Sequence, residues 1–128
     1  MLYRYVTFKK DKDECWHIDH IGYSSKLTYD YKVTNIKSNE HYSNYIINID
    51  KGYNIVDKSG RTIYDNDLIK TSKNRIFLVK RKNNRETPTF INIKNSLDKH
   101  SILYIDKTDW EIIGNIYNMN MFNFNTLS

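Results

Sequence analysis

Several short stretches of the chain alternate hydrophobic with polar residues. The clearest alternation places Leu27, Tyr29, Tyr31 and Val33 on one side and polar residues on the other. A period of two is typical of a strand with one face on a core and the other in water. Apolar stretches of strand length also occur at residues 2–8, 15–23, 75–81, 89–93, 101–105 and 110–117.

Residues 38–49 fit two structures. Tyr42, Ile46 and Ile49 have the spacing of a helical stripe, and Ser38 could cap such a helix. The isoleucines of the same stretch favour a strand, because branched side chains pack well on a pleated surface. A short helix and a strand therefore both stay open here.

Turn signals separate the predicted strands of the second half. Asp57 and Gly60 stand first and last in a four-residue turn, as a type I turn prefers. A second tight turn is predicted at Asp65 and Asn66, between two short strands. The polar residues 82–88 lie between two apolar stretches, which predicts a hairpin with a polar tip.

The composition favours strands over helices. Alanine is absent, tyrosine occurs 11 times, and aromatic residues make up 14% of the chain. Alanine is the best helix former, whereas aromatic and branched residues are enriched in strands. We therefore expect a mainly β fold: a small, bent open sheet or a partly open β-barrel, with an N-terminal strand layer and room for one short helix.

The length of 128 residues fits a single domain at 1–128. Within it we distinguish an N-terminal strand region at 1–50, a β region at 51–120 and a tail at 121–128. Two separate domains divided near residue 50 would each be close to the lower size limit for independent folding.

Sequence features predict a cytoplasmic protein without membrane contact. No stretch reaches the roughly 18 apolar residues that a bilayer span needs. The first residues lack the basic and apolar regions of a signal peptide. Cys15 is the only cysteine, which excludes an internal disulfide and a thiolate metal cage.

Two segments carry a recognisable pattern. The first reads IVDKSGRTIYDNDLIK at residues 55–70, and the second reads WEIIGNIYNMN at residues 110–120. They resemble the paired signatures of YopX-like phage and prophage proteins, D-x-x-G-x-x-I-Y-x-G-D-x-[IV] and, further along the chain, E-[IV]-I-G-N-I-Y-E-N. The resemblance covers about residues 53–120, and residues 1–50 show no matching signature. The matching residues are Asp57, Gly60, Ile63, Tyr64, Asp67, Ile69, Glu111, Ile113, Gly114, Asn115, Ile116 and Tyr117.

The chain departs from these signatures at two places. The Gly before the second Asp is Asn66 here, and Asn is the residue that best replaces Gly at a positive φ angle. The acidic residue after Tyr117 is absent. The resemblance implies a compact β-rich fold, a phage or prophage origin in a bacterial host cell, and no known catalytic residues. Its motif residues are expected to be turn formers, strand-core side chains and a Gly where backbones approach closely.

Two groups of side chains are candidates for metal binding or acid–base catalysis. Asp65 and Asp67 could bind a metal or act as acid and base, but the alternative is that Asp67 accepts hydrogen bonds from turn amides. On a regular strand, His17 and Asp19 share a face while His20 points away, so a three-ligand site would need a bulge. We expect surface histidines with a neighbouring Asp, and we predict no metal and no cofactor.

The strongest signal is a basic segment at residues 70–85, which holds seven Lys or Arg residues and no acidic residue. The net charge of the chain is +5, so subtracting +7 leaves −2 for the remainder. The excess positive charge therefore lies in one predicted hairpin. The side chains predicted to contact a partner are Lys73, Arg75, Lys80, Arg81, Lys82 and Arg85.

Three interpretations of the basic segment stay open. The segment could dock on an acidic protein surface, where opposite charges steer the encounter. It could grip the phosphates of a nucleic acid, with nearby aromatic side chains stacking on bases. It could also serve solubility alone, since lysines on an edge strand block unwanted pairing.

The leading hypothesis is a non-enzymatic phage or prophage accessory protein that binds a host macromolecule, expected to be a host protein. A counter-defence inhibitor of a host nuclease or of a CRISPR-type effector is its specific form. The alternative is a direct nucleic-acid-binding protein that uses the basic hairpin. We predict no catalytic residue, and a homodimer through an exposed strand edge or the apolar tail is a further option.

Overall fold

The computed structural model describes residues 2–25, 45–81, 87–106 and 109–121. The alternating stretch at 27–33 lies outside the described residues. The same holds for residues 38–44, the first part of the stretch that fits either a helix or a strand.

Strands dominate the described residues, which confirms the prediction of a mainly β fold. Nine strands and one short helix occur in the described part of the chain. In chain order they are β1 (Tyr3–Lys10), β2 (Trp16–Ser24), β3 (Tyr45–Val56), β4 (Thr62–Tyr64), β5 (Asp67–Thr71), β6 (Ile76–Arg81), β7 (Pro88–Asn92), β8 (Lys99–His100), α1 (Ile102–Asp106) and β9 (Trp110–Asn115).

Two compact units divide the chain between Lys51 and Gly52, within strand β3. In the N-terminal unit, β1 is the central strand and pairs antiparallel with β2 and with β3. Residues 4–8 of β1 are all buried, although successive side chains point to opposite faces of a sheet. This strand is therefore covered on both faces.

A buried ion pair lies within the N-terminal unit. Arg4 on β1 stands opposite Asp50 on β3, and the two residues are 1% and 2% exposed. Arg4 Nε donates a hydrogen bond to Asp50 Oδ2 at 3.0 Å, and Arg4 Nη2 lies 2.9 Å from the same oxygen. Burying either charge alone would be costly, so each residue compensates the desolvation of the other.

The C-terminal unit contains a five-stranded antiparallel sheet with the order β8-β7-β6-β5-β9. Strand β4 instead pairs with the last residues of β3. The strand registers place Ile69 opposite Phe77 and Val79 opposite Phe90, and all four side chains are fully buried. The same hydrophobic core cluster contains Tyr53, Ile63, Ile105 and Trp110.

Residues 101–105 form no strand, contrary to the sequence prediction. Helix α1 begins at Ile102, and the Ser101 carbonyl accepts the N–H of Tyr104 at 3.1 Å. Ile105 is fully buried in the core cluster, and Ile102 and Tyr104 pack against that cluster. A short apolar run fits a helix or a strand equally well by periodicity, so packing decides between them.

Residues 45–49 belong to strand β3, so the helical alternative for 38–49 is wrong over this part. The isoleucines of the stretch pair with β1 along a continuous register. Strand β3 also continues to Val56, through residues for which the sequence indicated no strand. The preference of branched side chains for strands prevails here over the helical spacing.

Both predicted turns are present in the C-terminal unit. The Gly60 N–H donates to the Asp57 carbonyl at 2.9 Å, and Gly60 has a φ of 81°. Asn66 has a φ of 71°, which confirms that Asn takes the left-handed conformation in place of Gly. The Asn66 turn does not close a hairpin, because β4 pairs with β3 whereas β5 pairs with β6 and β9.

Replacing Asn66 with valine tests the left-handed turn. We expect Asn66→Val to lower the free energy of unfolding by about 1–2 kcal/mol, because a branched side chain is strained at positive φ. Asn66→Gly should cost less, since Gly adopts this conformation freely. Urea denaturation provides the measurement. Asn54→Val, at an exposed position of β3, is the control, and an equal loss at both positions would contradict the turn assignment.

Candidate interaction surface

The carboxylate of Asp57 joins the two motif segments. Its Oδ1 accepts the backbone N–H groups of Ser59 and Arg61 at 3.0 and 2.8 Å. Its Oδ2 accepts the N–H of Ile112 on β9 at 3.0 Å and Arg61 Nε at 3.2 Å. The side chain of Asp57 has no exposed surface. A turn residue of the first motif thereby fixes a strand of the second.

The residues around Asp57 also cover one edge of strand β9. Arg61 Nη2 donates to the Ile112 carbonyl at 2.7 Å, and the Lys58 N–H donates to the Trp110 carbonyl at 3.2 Å. These groups and the Asp57 carboxylate occupy hydrogen-bonding positions that another strand would otherwise take. An exposed strand edge invites pairing with other chains, and this turn blocks such pairing along β9.

Burial raises the pKa of Asp57, but the surrounding donors outweigh the effect of burial. The N–H groups of Ile112, Arg61 and Ser59 and the charge of the Arg61 guanidinium favour the ionised carboxylate. The pKa of Asp57 therefore lies below its ordinary value of 3.8. The hydrogen bonds that hold β9 depend on this ionised form. Protonation would place an O–H group against N–H donors that need an acceptor.

The second motif ends in a turn that Asn115 organises. Its Oδ1 accepts the N–H groups of Tyr117 and Asn118 at 3.0 and 2.9 Å, and Asn118 Oδ1 accepts the N–H of Asn115 at 2.8 Å. A Cβ atom at Gly114 would lie 2.9 Å from Asn118 Oδ1 and from Met119 Cγ. Gly114 thus stands at a close approach, as the resemblance implied, although its close neighbours are side chains rather than backbone.

The acidic pair at Asp65 and Asp67 makes separate structural contacts. Asp65 accepts a hydrogen bond from the Tyr53 hydroxyl, and Asp67 Oδ2 accepts the Tyr64 N–H at 2.8 Å. Asp67 therefore bonds a backbone N–H at the turn, as the sequence alternative stated, whereas Asp65 bonds a tyrosine hydroxyl from β3. Within residues 2–25, 45–81, 87–106 and 109–121, no three His, Cys, Asp or Glu side chains are grouped to hold a metal ion.

The histidines of β2 are arranged differently from the prediction. His20 pairs with Thr7 and Ile18 pairs with Phe8, so Asp19 is an extra residue in a β-bulge. The bulge brings His17 and His20 to the same face, whereas a regular strand would have placed them on opposite faces. His17 Nε2 lies 2.5 Å from Asp11 Oδ2, and both side chains are at the surface.

The predicted partner-binding residues fall at two ends of one strand. Strands β6 and β7 pair up to Arg81 and Pro88, which confirms the hairpin. Lys73 and Arg75 lie at the turn before β6, whereas Lys80 and Arg81 lie at its end. At ~3.3 Å per residue, Arg75 and Arg81 are separated by ~20 Å. Lys82 and Arg85 lie outside the described residues.

All four described cations are exposed. Lys80 Nζ donates to Asn66 Oδ1 at 2.5 Å, and Arg75 Nη1 donates to the Tyr104 hydroxyl at 3.4 Å. The Tyr104 ring is stacked on His100 at 3.8 Å between centroids. None of the four cations forms an ion pair with a carboxylate of the described residues. The charge of Arg75 nevertheless contributes to lowering the pKa of the Asp98 carboxyl, after the hydrogen bonds from Asn92 and His100. Lys73, Lys80 and Arg81 therefore keep their charges most fully available to a partner.

The five-stranded sheet has a second face, opposite the core. The registers place Lys70 opposite Ile76, Leu78 opposite Ile91, and Ile91 opposite Lys99. The three lysines of this face are exposed, and Ile76, Leu78 and Ile91 are half-buried. Leu68 stands opposite Leu78 on the same face and is only 1% exposed, so the face is covered at that position. We define the outer face as Lys70, Ile76, Leu78, Lys80, Ile91 and Lys99.

The sequence did not indicate that Lys70 and Lys99 belong to this surface. Lys70 belongs to the basic segment, but residues 67–71 show no clean alternation of apolar and polar residues that would assign its face. Lys99 lies in a strand of two residues, which is too short to show any period.

The fold and the motif contacts define a mainly β protein in which a buried carboxylate joins two signature segments. A family model described as YopX protein matches residues 3–120, and the chain belongs to this family. The match includes most of residues 1–50, where the sequence showed no signature. Family membership is consistent with a phage-type protein. None of the curated proteins and none of the solved structures matches the chain significantly.

Membrane crossing by a helix finds no support in the described part of the chain. The one helix there, Ile102–Asp106, has five residues, and no helix has the length and apolar character that a bilayer span requires.

Removing the negative charge of Asp57 tests the link between the motifs. We expect Asp57→Asn to lower the free energy of unfolding at pH 7 by about 1–3 kcal/mol, because the amide replaces one accepting oxygen with an NH2 group and leaves the N–H donors at that position without an acceptor. Since the folded pKa is lowered, the stabilisation is present above the ordinary pKa of 3.8 and is lost as pH falls through the folded value. The loss caused by the substitution should therefore shrink in acid.

Urea denaturation at a series of pH values measures this effect. Asp109→Asn removes the same charge from an exposed residue of the C-terminal unit and should change the free energy of unfolding by less than about 0.5 kcal/mol. A pH-independent loss in Asp57→Asn would show that the ionised carboxylate is not what stabilises the unit.

Proposed function

We propose that this chain is a non-enzymatic, phage-type binding protein that docks on an acidic protein of the host through its basic β5–β6–β7 region. The observation that carries this proposal is the exposure of Lys73, Arg75, Lys80 and Arg81 without an ion-pair partner among the described residues. Such a surface attracts negative charge and accelerates encounter with an acidic partner.

Two of these cations are held in place by other side chains. Asn66 anchors the ammonium group of Lys80, and the Tyr104 hydroxyl contacts the guanidinium of Arg75. Holding a long side chain before binding reduces the conformational entropy that binding must remove. A surface that served only solubility would gain nothing from such positioning, which supports a role in recognition.

A counter-defence inhibitor is the form of this function that we favour. Family membership is consistent with a phage-type protein, and a phage gains from blocking a host nuclease or a CRISPR-type effector. Nuclease sites commonly hold metal ions with carboxylates. The basic region is complementary in charge to an acidic groove of that kind and would obstruct it by occupying it.

Direct binding to nucleic acid is the second candidate. The same observation favours it, because residues 70–81 carry five basic side chains and no acidic one. A protein that neutralises phosphates releases counterions, so its affinity for naked DNA falls steeply as salt is raised. An inhibitor of a host protein should instead bind that protein after nuclease treatment and show little affinity for naked DNA.

Affinity capture from a bacterial host lysate, with and without nuclease, tests the proposal. We expect one host protein to be retained in both conditions. The double variant Lys73→Glu with Arg81→Glu should reduce its recovery by at least about tenfold, because reversed charges repel an acidic surface. These two residues make no side-chain hydrogen bond that stabilises the fold in the described residues.

The matched control is Lys12→Glu with Lys58→Glu, which changes the net charge equally at two exposed residues outside the basic region. The control should retain the host protein. Loss of all retained protein after nuclease treatment, together with salt-sensitive binding of naked DNA, would favour the second candidate. Equal recovery by both double variants would contradict any role for the basic region.

A further inference from the structure

We infer that the outer face binds an acidic segment of a partner protein that also carries apolar side chains. The inference rests on the proposed function, and it specifies the face of the sheet that makes contact and the chemistry that this face recognises.

An aliphatic strip runs through the middle of the outer face. Leu78 and Ile91 stand directly opposite each other on β6 and β7, where facing Cβ atoms are ~4.5–5.5 Å apart. Ile76 precedes Leu78 by two residues on the same face, and Ile93, which is 41% exposed, bonds through its N–H to the Ile76 carbonyl. The strip offers apolar area that a partner's side chains would remove from water.

Lysines on three different strands surround this strip. Lys70 lies on β5, Lys80 on β6 and Lys99 on β8, and all three are exposed. Glu111, opposite Lys70, is the one acidic side chain that the described strands add to this face. An apolar centre with a charged rim is the usual anatomy of a protein interface. The excess of positive charge requires carboxylates on the partner.

The location of the aromatic side chains favours a peptide over a nucleic acid as the partner of this face. Phe77, Phe90 and Trp110 belong to the core on the opposite face, and the six residues of the outer face include no aromatic ring. Single-stranded nucleic acids are bound largely by stacking their bases on aromatic side chains. Leucine and isoleucine offer no such platform, whereas they suit the apolar side chains of a peptide.

Titration of the full chain with three short synthetic peptides tests the inference. One peptide alternates Glu with Leu, one alternates Glu with Ser, and one alternates Lys with Leu. We expect the Glu–Leu peptide to bind at least about tenfold more tightly than either of the others. Amide chemical shifts should change along β6, β7 and β8 when this peptide is added to isotope-labelled protein.

Two pairs of substitutions assign the contributions of the outer face. Leu78→Thr with Ile91→Thr should remove the preference for Glu–Leu over Glu–Ser while weak binding of both acidic peptides remains. Lys70→Gln with Lys99→Gln should weaken both acidic peptides together. Val56→Thr and Lys58→Gln, at exposed positions elsewhere in the C-terminal unit, are the controls and should leave every affinity unchanged.

Equal affinities for the Glu–Leu and Glu–Ser peptides would overturn the inference, and so would shift changes confined to residues 72–75. Tighter binding of a single-stranded oligonucleotide at the same face would overturn it as well. The first two outcomes would leave the proposed function untouched. That function is tested separately by the capture experiment with the Lys73 and Arg81 variant, because those residues lie outside the outer face.

Discussion

The C-terminal unit depends on the ionised carboxylate of Asp57. Four N–H donors from the turn and from β9 converge on its two oxygens. Removing one partner from such a buried network costs more than a single hydrogen bond contributes, because the remaining groups lose their solvation without compensation. The two motif segments of this chain are therefore two halves of one contact.

This contact leaves the surface of the sheet free for another purpose. The Asp57 turn covers the edge of β9, and the core cluster fills one face of the sheet. The six residues of the outer face and the cations at the ends of β6 take part in neither of these two contacts. This separation is compatible with the binding role proposed above, since binding residues are commonly positioned by a rigid scaffold.

The sequence predicted the features that are set by neighbouring residues. The turns at Gly60 and Asn66 and the β6–β7 hairpin follow from local conformational preferences, and charge alone identified the basic segment. Features that depend on distant contacts were not predictable. Helix α1 is decided by its packing on the core, and the bulge at Asp19 depends on the register with β1.

The outer face depended on register in the same way. Lys70, Leu78, Ile91 and Lys99 come from four strands, and only their pairing shows that they share one face. Proximity along the sequence instead groups the cations of residues 70–85 together. That grouping joined Arg75 with Arg81, although a strand separates them by ~20 Å.

The distribution of acidic and basic groups within the C-terminal unit has a further consequence for binding. Asp57 and Asp67 are buried and bonded to backbone N–H groups, and Asp98 is bonded to Asn92 and His100. The exposed Lys and Arg side chains of the described residues make fewer such hydrogen bonds and ion pairs. Among the described residues of this unit, exposed Lys and Arg side chains therefore outnumber exposed carboxylates. The engagement of these carboxylates within the fold thus supports the proposal of an acidic partner, because it leaves the surface with an excess of positive charge.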